Sequence, residues 1–231
     1  MSVYRYDIQQ NTDLWVITKL GKFSSSTAHM LLSEKERVGR CPVHNKGISK
    51  KDEDNYTCGC GIKFRDSEDY RRLIKKIIEE RITGNPCESK WNGNYYTDRG
   101  LKFEDDAADN FELSTFTKTH KIGLVEMNDW VVSSPDRLIG DKRLLQIKCP
   151  IFSTQLDYLE IKGIPTNYYK QMQFELMVTE RESNIFYSYC PPLPSIQIET
   201  NRDETLIKEI QDKLVIAINE VQDRIEQIRS N

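Results

Sequence analysis

Apolar residues recur along the chain with two different periods, and the period predicts the secondary structure of each segment. After Ser67, apolar residues lie three and four positions apart, which predicts a helix that Ser67 caps and Gly84 ends. Helical patterning predicts further helices over residues 24–34, 98–112, 153–161 and 166–180, and a long final helix from Asp203. Short runs rich in β-branched and aromatic residues predict strands over residues 121–126, 129–134, 143–148, 183–190 and 195–200.

Residues 38–66 show neither period. They are rich in Gly, Lys, Asp and Cys, and we interpret them as an insert within one domain that spans residues 1–231. The insert carries four soft or borderline metal ligands in C-x2-H and C-x-C spacing, namely Cys41, His44, Cys58 and Cys60. These side chains could hold a structural zinc ion, which would order a segment that has no apolar face. The alternative is that the thiols are unligated and the segment is a loop.

The composition indicates a globular protein without a membrane segment. Of 231 residues, 38% are hydrophobic and 30% are charged, and no apolar run approaches the roughly 18–20 residues that cross a bilayer. The start of the chain lacks the features of a signal peptide, so we expect a soluble intracellular protein whose six cysteines are reduced or metal-bound. The net charge of −3 leaves the partner open. Binding to a phosphate backbone would depend on local basic clusters such as Arg71, Arg72, Lys75 and Lys76.

One group of residues carries the chemistry that the sequence suggests. Asp136 follows a predicted strand, and Gln146 and Lys148 lie at the end of the next one. Alternate side chains on a strand share a face, so Gln146 and Lys148 should point the same way. Asp136 could reach them across a hairpin that turns at Gly140, and Glu104 from a predicted helix could complete the cluster.

These residue types suit the hydrolysis of a phosphodiester bond. A hard cation such as Mg2+ or Mn2+ prefers oxygen ligands and lowers the pKa of a bound water. Glu104 and Asp136 supply carboxylates, and the backbone carbonyl of Ile147 would be a further ligand. Lys148 can position the water or stabilise the transition state. The sequence therefore predicts a metal-dependent site for phosphodiester cleavage.

Five short segments occur in the order that is typical of one nuclease family. They read W-x3-[RK]-x-G-x4-S at residues 15–26, G-x3-E-x2-A at 100–107, S-P-D-x-L at 134–138, x-I-K-C-P at 146–150 and Y-x2-Q-x-Q at 168–173. Each segment is weak evidence by itself. The ordered set resembles the lambda exonuclease and YqaJ-like viral recombinase family, a branch of the PD-(D/E)xK nucleases. The resemblance covers most of the chain outside residues 38–66.

The resemblance implies a fold and an activity. The fold would be α/β, with a central mixed β-sheet flanked by helices as in restriction endonucleases. The activity would be two-metal hydrolysis of duplex DNA from a 5′ end, with release of mononucleotides during recombination or end processing. Family members can form ring-shaped trimers, and a single-strand annealing protein is a further expected partner.

The resemblance also implies roles for individual residues. Glu104, Asp136 and Gln146 stand at the positions of the acidic metal ligands, and Gln171 would touch the site. Three residues would bind the 5′-phosphate, namely Lys19, Ser26 and Ser134. Ser26 is equally consistent with a helix cap.

Two positions depart from the family pattern, because Gln146 replaces a glutamate and Arg137 replaces a glycine. An amide oxygen can bind a cation, but it lacks the negative charge that holds one, and its loss would cost catalysis on the order of several kcal/mol. Glutamine is the isosteric replacement that an experimenter would choose to trap a DNA complex, and we favour this interpretation. Two alternatives stay open: a natural, catalytically inactive member that binds nucleic acid, and a nuclease of the same class that acts on RNA or as an endonuclease.

Overall fold

The computed structural model describes residues 2–33, 49–52, 55–57, 63–64, 67–87 and 95–230. Its strands are β1 (Val3–Arg5), β2 (Phe23–Ser24), β3 (Ser49–Asp52), β4 (Asn55–Thr57), β5 (Lys63–Phe64), β6 (Leu124–Asn128), β7 (Val131–Ser133), β8 (Arg137–Ile139), β9 (Arg143–Lys148), β10 (Ser183–Ser188) and β11 (Ile196–Asn201). Its helices are α1 (Asp13–Lys19), α2 (Ala28–Leu31), α3 (Glu68–Thr83), α4 (Tyr95–Thr115), α5 (Phe152–Ile161), α6 (Thr166–Thr179) and α7 (Glu204–Arg229), with a short 3-10 turn at Ser25–Thr27.

Helices α3 and α7 begin where the sequence predicts. The Ser67 hydroxyl accepts a hydrogen bond from the Tyr70 backbone N–H at 3.0 Å, and Gly84 ends α3 in the left-handed conformation with a φ of 67°. The Asp203 carboxylate caps α7 in the same way, through the Leu206 N–H at 3.0 Å. Three other predicted helices are confirmed as α4, α5 and α6.

Eight of the described strands form two mixed four-stranded sheets, in the orders β1-β6-β7-β2 and β11-β10-β9-β8, and a three-stranded antiparallel sheet has the order β3-β4-β5. Parallel pairing joins β9 to β10 and β2 to β7, while the other neighbours in the two larger sheets are antiparallel. A bridge between His120 and Leu138 links the segment before β6 to β8. The expected mixed α/β architecture with flanking helices is thus confirmed, with its strands shared between two sheets.

Helix α6 lies at the centre of the fold, and its residues 172–179 are all buried. It contacts α2, α7, β6, β7 and β10. The apolar stripes of α3 and α7 belong to the same hydrophobic core as α6, and a second core packs Phe111 of α4 against Leu145 of β9 and Tyr187 of β10. Because interiors are close-packed, the side chains of α6 that face the sheets are held in fixed positions.

The N-terminal part of the chain differs most from the sequence prediction. The helix predicted over residues 24–34 is a 3-10 turn followed by the four-residue α2. The prediction also lacks α1 and β1, because α1 buries none of its residues and β1 is held by pairing with β6. Strand β8 is missing from it as well, because three residues are too few to show an alternating pattern.

The predicted insert over residues 38–66 contains β3, β4 and β5. The four side chains expected to bind zinc lie outside the described residues, namely Cys41, His44, Cys58 and Cys60. Within the described ranges, no helix combines the length and the apolar character that a membrane span requires.

Candidate active site

Asp136 lies just before β8 and turns toward β9. Its Oδ2 atom accepts a hydrogen bond from the backbone N–H of Ile147 at 2.7 Å and another from the side-chain amide of Gln146. The β8–β9 hairpin turns at Gly140, whose φ of 49° lies in the left-handed region that favours glycine. The prediction that Asp136 reaches Gln146 across this hairpin is confirmed.

The amide of Gln146 is fully buried, and both of its ends are hydrogen-bonded. Its nitrogen faces Asp136, and its oxygen accepts from Nε2 of Gln171 on α6 at 3.0 Å. Gln171 Nε2 also donates to Oε1 of Glu175, one turn further along α6, at 3.0 Å. A continuous chain of hydrogen bonds therefore runs from Asp136 through two amides to Glu175. The expected contact between Gln171 and the site is present.

Glu175 is the last residue in this series of hydrogen bonds, and the sequence analysis does not identify it. The residue is fully buried, and Nδ2 of Asn184 on β10 donates to its Oε2 at 2.9 Å. Burial, together with the negative charge of Asp136, raises the pKa of Glu175 to about 8. The spacing of four residues places Gln171 and Glu175 on one face of a helix, and this spacing is the signal that could have identified Glu175.

Glu104, on α4, reaches the site but is paired with an arginine. Nη1 of Arg137 donates to Glu104 Oε1 at 2.6 Å and to the backbone carbonyl of Asp136 at 2.7 Å. Nη2 of Arg137 donates to Asp105 at 2.5 Å. Only 4% of Arg137 is exposed. A buried positive charge therefore lies beside both expected acidic ligands, at the position where the family pattern has glycine.

The environment of Asp136 acts on its pKa in opposite directions. Burial raises the pKa of Asp136 to about 6, the positive charge of Lys148 lowers it, and the carboxylate of Glu104 raises it. Lys148 itself lies with Nζ 5.0 Å from the centre of the Tyr168 ring. A further positive charge beside Asp136 would keep its carboxylate ionised at neutral pH.

Two cavities near these residues are both lined by Tyr158 and Tyr168. The first has a volume of about 450 Å3, and its lining includes Glu104, Asp136, Lys148, Tyr158 and Tyr168. The second has a volume of about 410 Å3, and its lining includes Ser26, His29, Gln171 and the same two tyrosines. The expected acidic ligands and lysine thus face one cavity, whereas one expected phosphate ligand and Gln171 face the other.

Two of the three residues expected to bind a 5′-phosphate contact the side chain of Trp15. Trp15 Nε1 donates to Ser134 Oγ at 3.0 Å, and Lys19 Nζ lies 3.7 Å from the centre of the indole ring. Burial of its ammonium group, together with the charge of Lys76, lowers the pKa of Lys19 to about 8. Ser26 is exposed inside the 3-10 turn rather than capping it, and the pairing of β2 with β7 brings its segment alongside that of Ser134.

The described residues contain no group of three or more His, Cys, Asp or Glu side chains that could share a metal ion. The lining of the cavity includes Ile147 and the two carboxylate residues Glu104 and Asp136. Because residue 146 is an amide here, the site has two carboxylates, and one of them is paired with Arg137.

Solved structures with a similar fold include exonucleases. The alkaline exonuclease LHK-Exo from Laribacter hongkongensis matches with a TM-score of 0.76 at 23% identity, over 95% of this chain and 97% of that one. The structure of LHK-Exo in complex with dAMP matches equally well. A phage-related exonuclease from Haemophilus somnus 129PT matches with a TM-score of 0.61 at 14% identity, over 90% of this chain and 96% of that one. The fold is therefore the α/β fold of the alkaline exonucleases.

The sequence identifies the family more closely. The profile of the YqaJ-like viral recombinase domain matches residues 14–182, a range that contains all five of the short segments. The chain belongs to the YqaJ-like viral recombinase domain family. The resemblance inferred from those segments is confirmed. A comparison with curated proteins finds no match.

Proposed function

We propose that this protein is built as a deoxyribonuclease that depends on Mg2+ or Mn2+ and digests double-stranded DNA from a 5′ end. The observation that carries the proposal is the position of Asp136, which the Ile147 N–H holds at a cavity shared with Glu104 and Lys148. Carboxylates and a lysine around one cavity meet the requirements of phosphodiester hydrolysis. Membership of a viral recombinase family and an exonuclease-like fold support DNA as the substrate.

The donor set around Asp136 fits hard divalent cations. The carboxylates of Glu104 and Asp136 and the carbonyl of Ile147 are the oxygen donors that Mg2+ and Mn2+ prefer, and we propose two such ions as the cofactor. Bound ions would lower the pKa of the attacking water and neutralise charge on the scissile phosphate. Lys148 would bind a phosphate oxygen in the same cavity, and Gln171 would hold residue 146 from the side of α6.

The 5′-phosphate would be recognised beside this cavity. Lys19 supplies a positive charge, and Ser26 and Ser134 supply hydroxyl groups, which together suit a phosphate. The pairing of β2 with β7 and the contacts of Trp15 bring these three segments together. One similar structure contains dAMP, a nucleotide of the kind that stepwise digestion of DNA would release.

A cleavage assay on matched DNA ends tests the proposal. The chain and the Gln146→Glu variant are incubated with Mg2+ and one of three substrates, namely 5′-phosphorylated duplex DNA, 5′-hydroxyl duplex DNA or RNA. We expect Gln146→Glu to raise the rate on the phosphorylated duplex by orders of magnitude, with mononucleotides as product, because a carboxylate restores charge at the metal site. Lys148→Ala should abolish that gain. Lys142→Ala, which alters an exposed lysine on the same hairpin, is the matched control.

The result that would refute the proposal is that Gln146→Glu and the double variant with Arg137→Gly are both stably folded and cleave none of the three substrates. Equal cleavage of DNA and RNA would refute the DNA-specific form of the proposal. Internal nicking without mononucleotides would instead support an endonuclease of the same class. These outcomes separate the reaction class from the substrate class.

A second candidate function is binding of nucleic acid without cleavage. The ion pair between Arg137 and Glu104 favours it, because a buried guanidinium occupies one of the two carboxylates that the cation would need. The variants Gln146→Glu, Arg137→Gly and the double variant distinguish the two functions. DNA binding without cleavage in all three would support the second candidate.

Two further proposals concern assembly and the insert. Family membership suggests a ring-shaped trimer and a single-strand annealing partner, and light scattering would measure the mass of the assembly. The spacing of Cys41, His44, Cys58 and Cys60 suggests one structural zinc ion. Metal analysis that returns less than one zinc per chain, with Cys41→Ser harmless to folding, would contradict this proposal.

A further inference from the structure

The hydrogen-bond chain from Asp136 to Glu175 has a direction, because its last member acts as an acceptor. Both oxygens of Glu175 accept amide N–H groups, one from Gln171 and one from Asn184. Asn184 presents its nitrogen to Glu175 even though its own Oδ1 then has no partner among the described residues. Above its pKa of about 8, Glu175 is an ionised carboxylate that can only accept, so each amide that touches it must turn its nitrogen inward.

This requirement passes through Gln171 to the next amide. The single NH2 group of Gln171 donates to Glu175 and also to Oε1 of Gln146, each at 3.0 Å. Gln146 therefore turns its oxygen toward Gln171 and its nitrogen toward Asp136, whose carboxylate also accepts and so imposes the same orientation from the other side. Reversing Gln146 alone would set two donors against each other. Reversing Gln171 as well would set its oxygen against the acceptor oxygens of Glu175, and a buried mismatch of this kind is costly.

We propose that Glu175 is a positioning residue that, through Gln171, keeps the nitrogen of Gln146 toward Asp136 even when a cation occupies the Asp136 carboxylate. The inference rests on the proposed metal site, because an amide nitrogen cannot act as a ligand for a hard cation. A glutamate at position 146 would accept the same bond from Gln171 and keep an oxygen for the cation. The arrangement on α6 is therefore matched to a carboxylate at position 146, and glutamine there is held in the orientation that binds a cation least well.

A double-variant cycle on Mg2+ binding tests the inference. The four proteins are the chain itself, Glu175→Gln, Gln146→Glu and the double variant, and calorimetry with Mg2+ alone measures each affinity at a pH where Glu175 is ionised. Glutamine at position 175 keeps the shape of the side chain but can donate, so with a cation on the Asp136 carboxylate Gln171 and Gln146 can both turn and present the oxygen of Gln146 to it. With glutamate at position 146 there is no amide to orient, and Glu175→Gln reports only the loss of a nearby negative charge.

Glu175→Gln will change the Mg2+ affinity by some factor in each background. We expect this factor to be about ten times more favourable with glutamine at position 146 than with glutamate at position 146. A coupling of this size is typical of residues in one hydrogen-bond network. Equal changes in both backgrounds, with Gln146→Glu binding Mg2+, would overturn the positioning role and leave the metal site standing. Absence of Mg2+ binding by Gln146→Glu would overturn the metal site instead.

A second measurement observes the amide directly. In protein with 15N-labelled glutamine side chains, addition of Mg2+ should shift the NH2 signals of Gln146 more in Glu175→Gln than in the parent, because only in the variant can this amide turn away from Asp136. The signals of Gln173 serve as the control, since Nε2 of Gln173 donates to the backbone carbonyl of Asn201 and is outside this chain of bonds. Equal Mg2+-induced shifts of the Gln146 signals in the two proteins would overturn the inference whatever the calorimetry gives.

Discussion

Replacement of Glu175 by glutamine should change how the free energy of unfolding depends on pH. The pKa of Glu175 is raised from its ordinary value of 4.5 to about 8, first by burial and then by the charge of Asp136. An acid whose pKa rises on folding holds its proton more tightly in the folded state than in the unfolded state. Its contribution to stability is therefore full below the unfolded pKa and is lost as the pH rises toward the folded pKa.

The size of the effect follows from the distance between the two pKa values. Each pH unit between them is worth about 1.4 kcal/mol, so the loss across the whole window is on the order of 4–5 kcal/mol for a fully buried group. That loss is a large part of the roughly 5–15 kcal/mol that typically stabilises a folded protein. Glutamine has no proton to lose at position 175, so the variant should not show this part of the pH dependence. Asp136 contributes with the same sign, but it is present in both proteins.

Urea denaturation of both proteins between about pH 5 and pH 9 measures the effect. The free energy of unfolding of the variant should exceed that of the parent at the alkaline end, and the difference should shrink as the pH falls. Glu182→Gln is the control, because Glu182 is exposed and forms a surface ion pair with Lys142. Parallel pH profiles for the parent and Glu175→Gln would refute the reasoning, because they would mean that Glu175 titrates alike in the folded and unfolded chains.

Three further predictions concern other contacts at the site and its surroundings. Gly123→Ala should lower the free energy of unfolding by several kcal/mol, because a Cβ would collide with the backbone carbonyl of Ile8; an unchanged melting temperature would contradict this. Trp15→Phe removes the indole N–H that binds Ser134 and should cost about 1 kcal/mol of stability. It should also weaken binding of 5′-phosphorylated DNA more than of 5′-hydroxyl DNA, and equal weakening would argue against a phosphate pocket there. Arg137→Gly removes a buried positive charge and should raise the Mg2+ affinity in calorimetry, whereas a lower affinity would contradict our view of this residue.

The one contact of the site that could be predicted from the residues themselves is determined by local geometry. The contact between Gln146 and Asp136 could be predicted because a hairpin with a glycine turn brings neighbouring strands together whatever surrounds them. Gln171 was reached only through the resemblance, since nothing in its own helix indicates that it faces β9. The position of Arg137 against Glu104 depends on how α4 packs on β8, and no local pattern contains that information.

In the fold as well, elements that the local sequence marks were predictable, and elements that depend on distant partners were not. Helices α3 and α7 were predictable because capping residues and an apolar stripe mark them within the local sequence. Strands β1 and β8 are short and are defined by their partners, since β1 pairs with β6 and β8 pairs with β9. Pairing between distant segments gives a short strand its structure without leaving a pattern in its own residues. The sorting of strands into two sheets could not be predicted for the same reason.

The contacts of Arg137 decide which of the two departures from the family pattern should matter more for cleavage. Its guanidinium donates to Glu104, to Asp105 and to the backbone carbonyl of Asp136, which are partners on the side of α4 and β8. The side chain of Gln146 is held between Asp136 and Gln171 on α6, and Arg137 donates to neither side chain.

Because the two departures act through different partners, their effects should be separable. Gln146→Glu alone should restore cleavage, since it returns an anionic ligand and fits the bond that Gln171 already donates. Arg137→Gly alone should not restore cleavage, since the amide nitrogen of Gln146 would still face Asp136. Cleavage restored only by the double variant would mean that the guanidinium itself blocks the cation, and that the ion pair with Glu104 persists when the cation is offered.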